Sequence, residues 1–120
     1  MKIAILGAGA WGSALAISLS GAHDVCLWAR RREACDELSR RRGSSYLPGV
    51  AFPEPLRIEP DFRLAIAGCE LAIVATSTSG LRETASAIAA IRPAAALLWA
   101  CKGFETATRL LPHQVLGQVM

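Results

Sequence analysis

Two short stretches near the amino terminus carry residue types suited to holding phosphate. An apolar run, Ile3 to Leu6, leads directly into Gly7-Ala8-Gly9-Ala10-Trp11-Gly12, which has G-x-G-x-x-G spacing. Where a buried strand enters a helix through such a turn, each glycine has its own task. Gly7 permits the tight turn, Gly9 lets a pyrophosphate approach the backbone, and Gly12 lets the helix lie close on the strand. The open amides at the helix N-terminus, from Ala10 on, then make an anion site without a lysine. The spacing is not that of a mononucleotide phosphate loop, because G-x-x-x-x-G-K-[ST] is absent. The expectation is a dinucleotide site; the plainer alternative is a turn selected for packing alone.

The second stretch, Val25 to Ala29, reads as a strand that ends in Arg30, Arg31 and Arg32. A site for NAD places an acid here, about 20 residues beyond the glycines, to accept from the ribose 2′-hydroxyl. This chain has Ala29, Arg30 and Arg31 instead, and Asp24 comes too early to serve. Guanidinium forks match a 2′-phosphate better than a bare hydroxyl. NADP is therefore the expected cofactor, with NAD admitted. The alternative is that Arg30 to Arg32 are solvated charges paired with Glu33, Asp36 and Glu37, which suits Arg32 best.

These residues need a frame that brings strand ends together. Lys2 to Leu6, Val25 to Ala29, Leu56 to Ile58, Leu71 to Ala75 and Ala95 to Trp99 read as strands, the last of them buried. Between them lie helical patterns. Ala10 to Ser20 has Gly21 as its C-cap, and Arg31 to Arg41 turns Ala34 and Leu38 inward with Asp36 one turn from Arg40. Pro60 opens a short helix to Ala67, and a longer one ends at Ile91, where Pro93 stops it. Leu81, Ala85, Ile88 and Ile91 share one face of that longer helix. Residues 43–55 form an irregular segment, with a type II turn at Pro48-Gly49. The tail from Thr108 is ambiguous, since Pro112 and Gly117 interrupt a long helix. Alternating strands and helices predict an α/β fold, a Rossmann-type doubly wound and mostly parallel sheet with helices on both faces.

Composition excludes several classes. At 120 residues there is room for one domain, and 52% apolar content is too high for a disordered chain. The net charge of +3 is matched by the segment from Arg30 to Arg42 alone, with six arginines against three acids. A nucleic-acid binder spreads its positive charge more widely, so no nucleic acid is expected. The longest apolar run, Ala94 to Cys101, is too short to span a membrane, and no signal peptide is evident. Cys26, Cys35, Cys69 and Cys101 lack C-x-x-C spacing and read as free thiols in a reducing, cytoplasmic compartment. No cluster has metal-ligand spacing. His23, at the amino edge of the second strand, reads as a solvated turn residue.

Four blocks together closely resemble the N-terminal domain of bacterial NAD(P)-dependent glycerol-3-phosphate dehydrogenases. They are Gly7 to Ala16, Trp28-Ala29-Arg30-Arg31, Tyr46-Leu47-Pro48-Gly49, and Cys101-Lys102-Gly103-Phe104-Glu105. Ser13, Ala75-Thr76-Ser77 and Gly43-Ser44 depart from the commonest pattern without removing a charge or a fingerprint glycine. The resemblance implies that Trp11, Arg30 and Arg31 bind cofactor and that Lys102 lies between cofactor and substrate. It further implies hydride transfer between NAD(P)H and dihydroxyacetone phosphate, giving sn-glycerol 3-phosphate for phospholipid biosynthesis. The family's general acid/base lysine belongs to a second, helical domain absent from residues 1–120, so no catalytic residue is expected here and the 120 residues alone are expected to be inactive.

Lys102, one of two lysines, follows a strand at the edge where open α/β sheets bind ligands. Its ammonium would attract the substrate phosphate or polarise the carbonyl; otherwise it is a solvated loop lysine. Tyr46 to Gly49 frames the cleft. Thr76 to Ser79 lines the cofactor path, caps the next helix, or does both. Nothing fixes the number of subunits, a homodimer being one admissible assembly. Two other readings stay open: a ketopantoate or UDP-sugar type of dehydrogenase, and a nucleotide-binding module without catalysis.

Overall fold

The computed structural model describes residues 1–92, 94–100 and 108–119. Five parallel strands form one sheet: β1 (Lys2–Leu6), β2 (Asp24–Trp28), β3 (Arg57–Ile58), β4 (Leu71–Val74) and β5 (Ala96–Trp99). Their order across the sheet is β3-β2-β1-β4-β5. The helices are α1 (Ala10–Leu19), α2 (Arg32–Arg41), α3 (Phe62–Ile66), α4 (Thr78–Ile91) and α5 (Pro112–Val119).

The two-residue period of a strand divides the core into two layers. Ile3 and Ile5 of β1 join Val25, Leu27 and Ile73 on the face that carries Ala16 of α1 and Leu38 of α2. Ala4 and Leu6 join Ala72 and Val74 on the opposite face, with Ile66, Leu81, Ala85, Ile88 and Val115 from α3, α4 and α5. Burial on both faces accounts for the unbroken apolar runs of β1 and β4. The expected doubly wound α/β architecture is present. From β1 the chain builds outward to β2 and β3, then crosses back to β4 and β5. The loops after β1 and β4 therefore meet at the switch point where such sheets open a crevice.

Several local expectations need correction. Gly21 does not end α1 as a left-handed cap: the helix stops with Ser20 still right-handed, and the Leu19 carbonyl accepts from Ala22 and His23 at 3.2 and 3.0 Å. The left-handed cap is Arg42, at φ 50°, which closes α2. The acid paired one turn away on that helix is Glu37 with Arg41, at 3.3 Å, in place of Asp36 with Arg40. Asp61 rather than Pro60 starts α3, its carboxylate accepting from the Leu64 amide at 3.2 Å. β5 is not a buried strand: Leu98 is 51% exposed and Trp99 41%. Among the described residues β5 ends the strand order and pairs with β4 alone, which leaves its apolar run partly open.

Pro112 and Gly117 do not break the tail. Proline sits at the first turn of α5, where its missing N–H costs nothing, and Val115 and Leu116 are buried. His23 is half-buried, and its Nδ1 has no hydrogen-bond partner among the described residues. The turn at Pro48-Gly49 has the expected form, with Gly49 at φ 80° and the Val50 amide bonded to the Leu47 carbonyl. Pro93, Cys101, Lys102 and Gly103 lie outside the described residues. Among the described residues no helix is long and apolar enough to cross a membrane.

Candidate cofactor site

The glycine turn sits where the two halves of the sheet part. Gly7 has φ 121°, and its amide donates to the Trp28 carbonyl at 2.8 Å, tying the end of β1 to the end of β2. A Cβ on Gly7 would stand 2.6 Å from the Ala75 carbonyl oxygen, so the loops after β1 and β4 touch there. A Cβ on Gly12 would stand 1.7 Å from the Gly7 carbonyl oxygen, which is how closely α1 lies on the turn. Gly9 differs from both. An added Cβ there meets nothing within 4 Å, so its small size serves no contact among the described residues. Gly9 is also the N-cap of α1, with no side chain capping the helix, and the Gly9 carbonyl receives the first helical bond, from Ser13, at 3.0 Å. The first amides of α1 are thus left for an anion.

Two cavities open beside this turn. The larger, about 660 Å³, is walled by Gly7, Ala8 and Gly9, by Trp28, Arg30 and Phe62, and by Ala75, Thr76, Ser77, Gly80, Glu83, Thr84 and Ala87. Its apolar wall is fixed: Trp28 and Phe62 meet edge to face at 5.0 Å, and the Trp28 indole donates to the Pro60 carbonyl at 3.2 Å. The smaller, about 360 Å³, lies under α2 and the segment after it. Arg30, Arg31, Arg41, Glu33, Glu37, Ser44, Ser45 and Tyr46 line it, again with Ala8 and Gly9. Arg30 is the charged side chain common to both.

Of the expected site residues, Gly7 and Gly9 border the larger cavity with Arg30, and Arg31 borders the smaller. Gly12 is buried behind the turn. Ala10 and Trp11 form the first turn of α1; Trp11 is 62% exposed and lies outside the walls of both cavities. Arg30 does not pair with Glu33, Asp36 or Glu37: its Nη2 donates to Glu83 of α4 at 2.5 Å. Thr76 and Ser77 border the larger cavity, and the capping role is present, the Ser77 hydroxyl accepting from the Gly80 amide at 3.3 Å. Tyr46, at 65% exposed, borders the smaller cavity.

Below the arginines the end of β2 is tied to α2. The buried Cys35 thiol lies 3.4 Å from both the amide and the carbonyl of Ala29, holding the strand end from which Arg30 projects. Burial raises the Cys35 thiol above its ordinary value, with the neighbouring Ala29 hydrogen bond opposing it. Burial likewise raises Cys69, and pushes Cys26 up to about 11, so these thiols stay protonated and inert near neutral pH. All three are free.

Sequence reasoning missed Glu83, Trp28, Phe62 and Arg41 as parts of the site. Arg41 could have been found, since it lies in the same arginine-rich segment. Glu83 meets Arg30 only through the tertiary fold, 53 positions away in the chain.

A family model described as the NAD-dependent glycerol-3-phosphate dehydrogenase N-terminus matches residues 2–120. Among curated relatives, the glycerol-3-phosphate dehydrogenase [NAD(P)+] of Dechloromonas aromatica (strain RCB) is 46% identical over 121 residues, covering 100% of this chain and 37% of the relative. That of Herminiimonas arsenicoxydans is 47% identical over 126 residues, with coverages of 100% and 37%. Among solved structures, a crystal structure of glycerol-3-phosphate dehydrogenase from Coxiella burnetii superposes with a TM-score of 0.89 at 29% identity, over 98% of this chain and 37% of that one. The chain thus spans about 37% of the length of these relatives. With the glycine turn, the crevice and the match over nearly every residue in agreement, the chain belongs to the NAD-dependent glycerol-3-phosphate dehydrogenase N-terminal family.

Proposed function

We propose that this chain holds a nicotinamide dinucleotide, NADP(H) in preference to NAD(H), for an oxidoreductase that interconverts dihydroxyacetone phosphate and sn-glycerol 3-phosphate. The observation that carries the reading is the void over Gly9. Among the described residues a Cβ there meets no atom within 4 Å, while Gly7 and Gly12 on either side are closed by backbone. The residues around that void fit a dinucleotide. Gly9 and the first amides of α1 would take the pyrophosphate. The cavity between Trp28 and α4 has the size and apolar wall of a small-molecule site. Arg30 and Arg31, on the smaller cavity, would take a 2′-phosphate.

When bound, the nicotinamide supplies the hydride. This chain's own residues orient and charge-match the cofactor, and Lys102 is proposed to sit between cofactor and substrate. Residues 1–120 are read as a cofactor-binding domain that does not by itself turn over dihydroxyacetone phosphate. Phospholipid biosynthesis is the process such a product serves, and the three buried free thiols suit a cytoplasmic setting.

The test is a side-by-side titration with NADPH and NADH, reading heat and tryptophan quenching together. NADPH is expected to bind more tightly, with the advantage lost when Arg30 and Arg31 are both changed to Ala. No binding of either cofactor at millimolar concentration would remove the reading. Equal binding of the two would leave the dinucleotide site and return the arginines to ordinary surface charge.

A further inference from the structure

Arg30 and Glu83 reach each other from opposite sides of the crevice. Arg30 follows β2, whereas Glu83 projects from α4, which follows β4. The Arg30 Nη2 donates to Glu83 Oε2 at 2.5 Å, so the pair crosses the rim of the larger cavity, which both residues line. Arg30 also borders the smaller cavity, and Glu83 does not. The two side chains are 67% and 71% exposed, so water competes for both and the pair is readily exchanged. A guanidinium carries five N–H donors in a planar fork, and a carboxylate engaging Nη2 occupies only part of it. The other acids near Arg30 do not hold it: Glu37 is bound to Arg41, and Glu33 forms no ion pair among the described residues.

We infer that Glu83 sets cofactor discrimination, holding Arg30 in an ion pair that a 2′-phosphate must take over and that a 2′-hydroxyl leaves in place. The inference rests on the reading of the two cavities as a cofactor site. A phosphate monoester carries nearly two negative charges and three acceptor oxygens, so it outcompetes one exposed carboxylate for the guanidinium. NADPH therefore bears the cost of the lost pair, and NADH does not. Glu83 thereby narrows the preference for NADPH that Arg30 and Arg31 create. A site built this way accepts both cofactors with modest discrimination.

The test measures dissociation constants for NADPH and NADH on the wild type, Glu83→Gln, Arg30→Ala and the double variant. Glutamine keeps the shape and an acceptor oxygen while removing the charge. Glu83→Gln is expected to tighten NADPH about three- to fivefold and to leave NADH within about twofold, with an unchanged melting temperature. In the Arg30→Ala background the same substitution leaves the ratio of the two constants unmoved. A ratio unchanged or lowered by Glu83→Gln with Arg30 present overturns the inference. So does an equal rise with Arg30 absent, since Glu83 would then act on the ligand directly. If Arg30→Ala with Arg31→Ala leaves the NADPH-to-NADH ratio untouched, the 2′-phosphate reading itself fails, an outcome separate from any result at Glu83.

Discussion

The loops after β1 and β2 reach the same edge of the sheet, yet they are built in opposite ways. The first is backbone against backbone: Gly7 against the Ala75 carbonyl, Gly12 against the Gly7 carbonyl, with no side chain free to adjust. The second ends in long, exposed cations, one of them held by a single ion pair to Glu83. On the proposed reading a phosphate at the glycine turn meets fixed dipoles already in place, and Gly7 and Gly12 cannot vary without disturbing the turn. On the same reading, discrimination at the arginine rim rests on side chains that cost the fold almost nothing to change. Binding a dinucleotide and choosing between dinucleotides would then be separable.

The largest expected effect lies on the closed side. Gly12→Ala forces a Cβ onto the Gly7 carbonyl and should destabilise the protein by at least about 3 kcal/mol in urea unfolding. Wild-type stability in that variant would mean that the turn is not closed at all.

Next comes the core beneath both loops. Burial raises the folded pKa of Cys26 from the ordinary 9.0 to about 11, so the unfolded chain loses this proton first as pH rises. The stability it confers is complete below about pH 9 and is lost as pH climbs through about 11, by about 2 to 3 kcal/mol. Cys35 and Cys69 shift in the same direction and add to the loss. Urea unfolding across that range should show the decline, and Cys26→Ala should reduce it by the share of Cys26 while the contributions of Cys35 and Cys69 remain.

Gly9→Ala is the sharpest test of the contrast within the turn. With nothing among the described residues within 4 Å of its Cβ, it should change stability by only about 0.5 to 1 kcal/mol, the cost of alanine at an N-cap. Cofactor binding should nevertheless weaken about tenfold or more by calorimetry, since the Cβ fills the void.

On the open side, Arg31→Ala should leave stability within about 0.5 kcal/mol and weaken NADPH, but not NADH, by up to about tenfold. Smallest of all, Arg41→Ala removes an exposed pair one turn along α2 and should cost at most about 0.3 to 0.5 kcal/mol. An Arg31 or Arg41 effect on folding as large as that at Gly12 would erase the distinction between the two loops.

What could be read from the sequence follows the same division. The glycine turn, the alternating elements and the two-layer sheet were legible because strand period, helix period and glycine spacing are local signals. The burial of β5 was misjudged because an apolar run looks the same at the centre of a sheet and at its margin, and only strand order separates them. The tail stays ambiguous in the sequence because Pro112 reads equally as a breaker and as a first-turn residue, and the fold places it in the first turn of α5. The Arg30 partner was out of reach for a different reason. Local spacing offered three acids on α2, whereas the fold brings Glu83 across the crevice from α4.

The central claim, that a dinucleotide lies across the glycine turn with its far end at the arginine rim, is tested most directly by an amide NMR titration with NADPH. The account predicts the largest shifts at Ala8, Gly9, Ala10, Trp11 and Gly12, with a second group at Arg30, Arg31 and Thr76. Lys2, Asp24 and Gly68, at the opposite edge of the sheet, should stay still. Shifts confined to that opposite edge or to α5, with residues 7–12 unmoved, would contradict it.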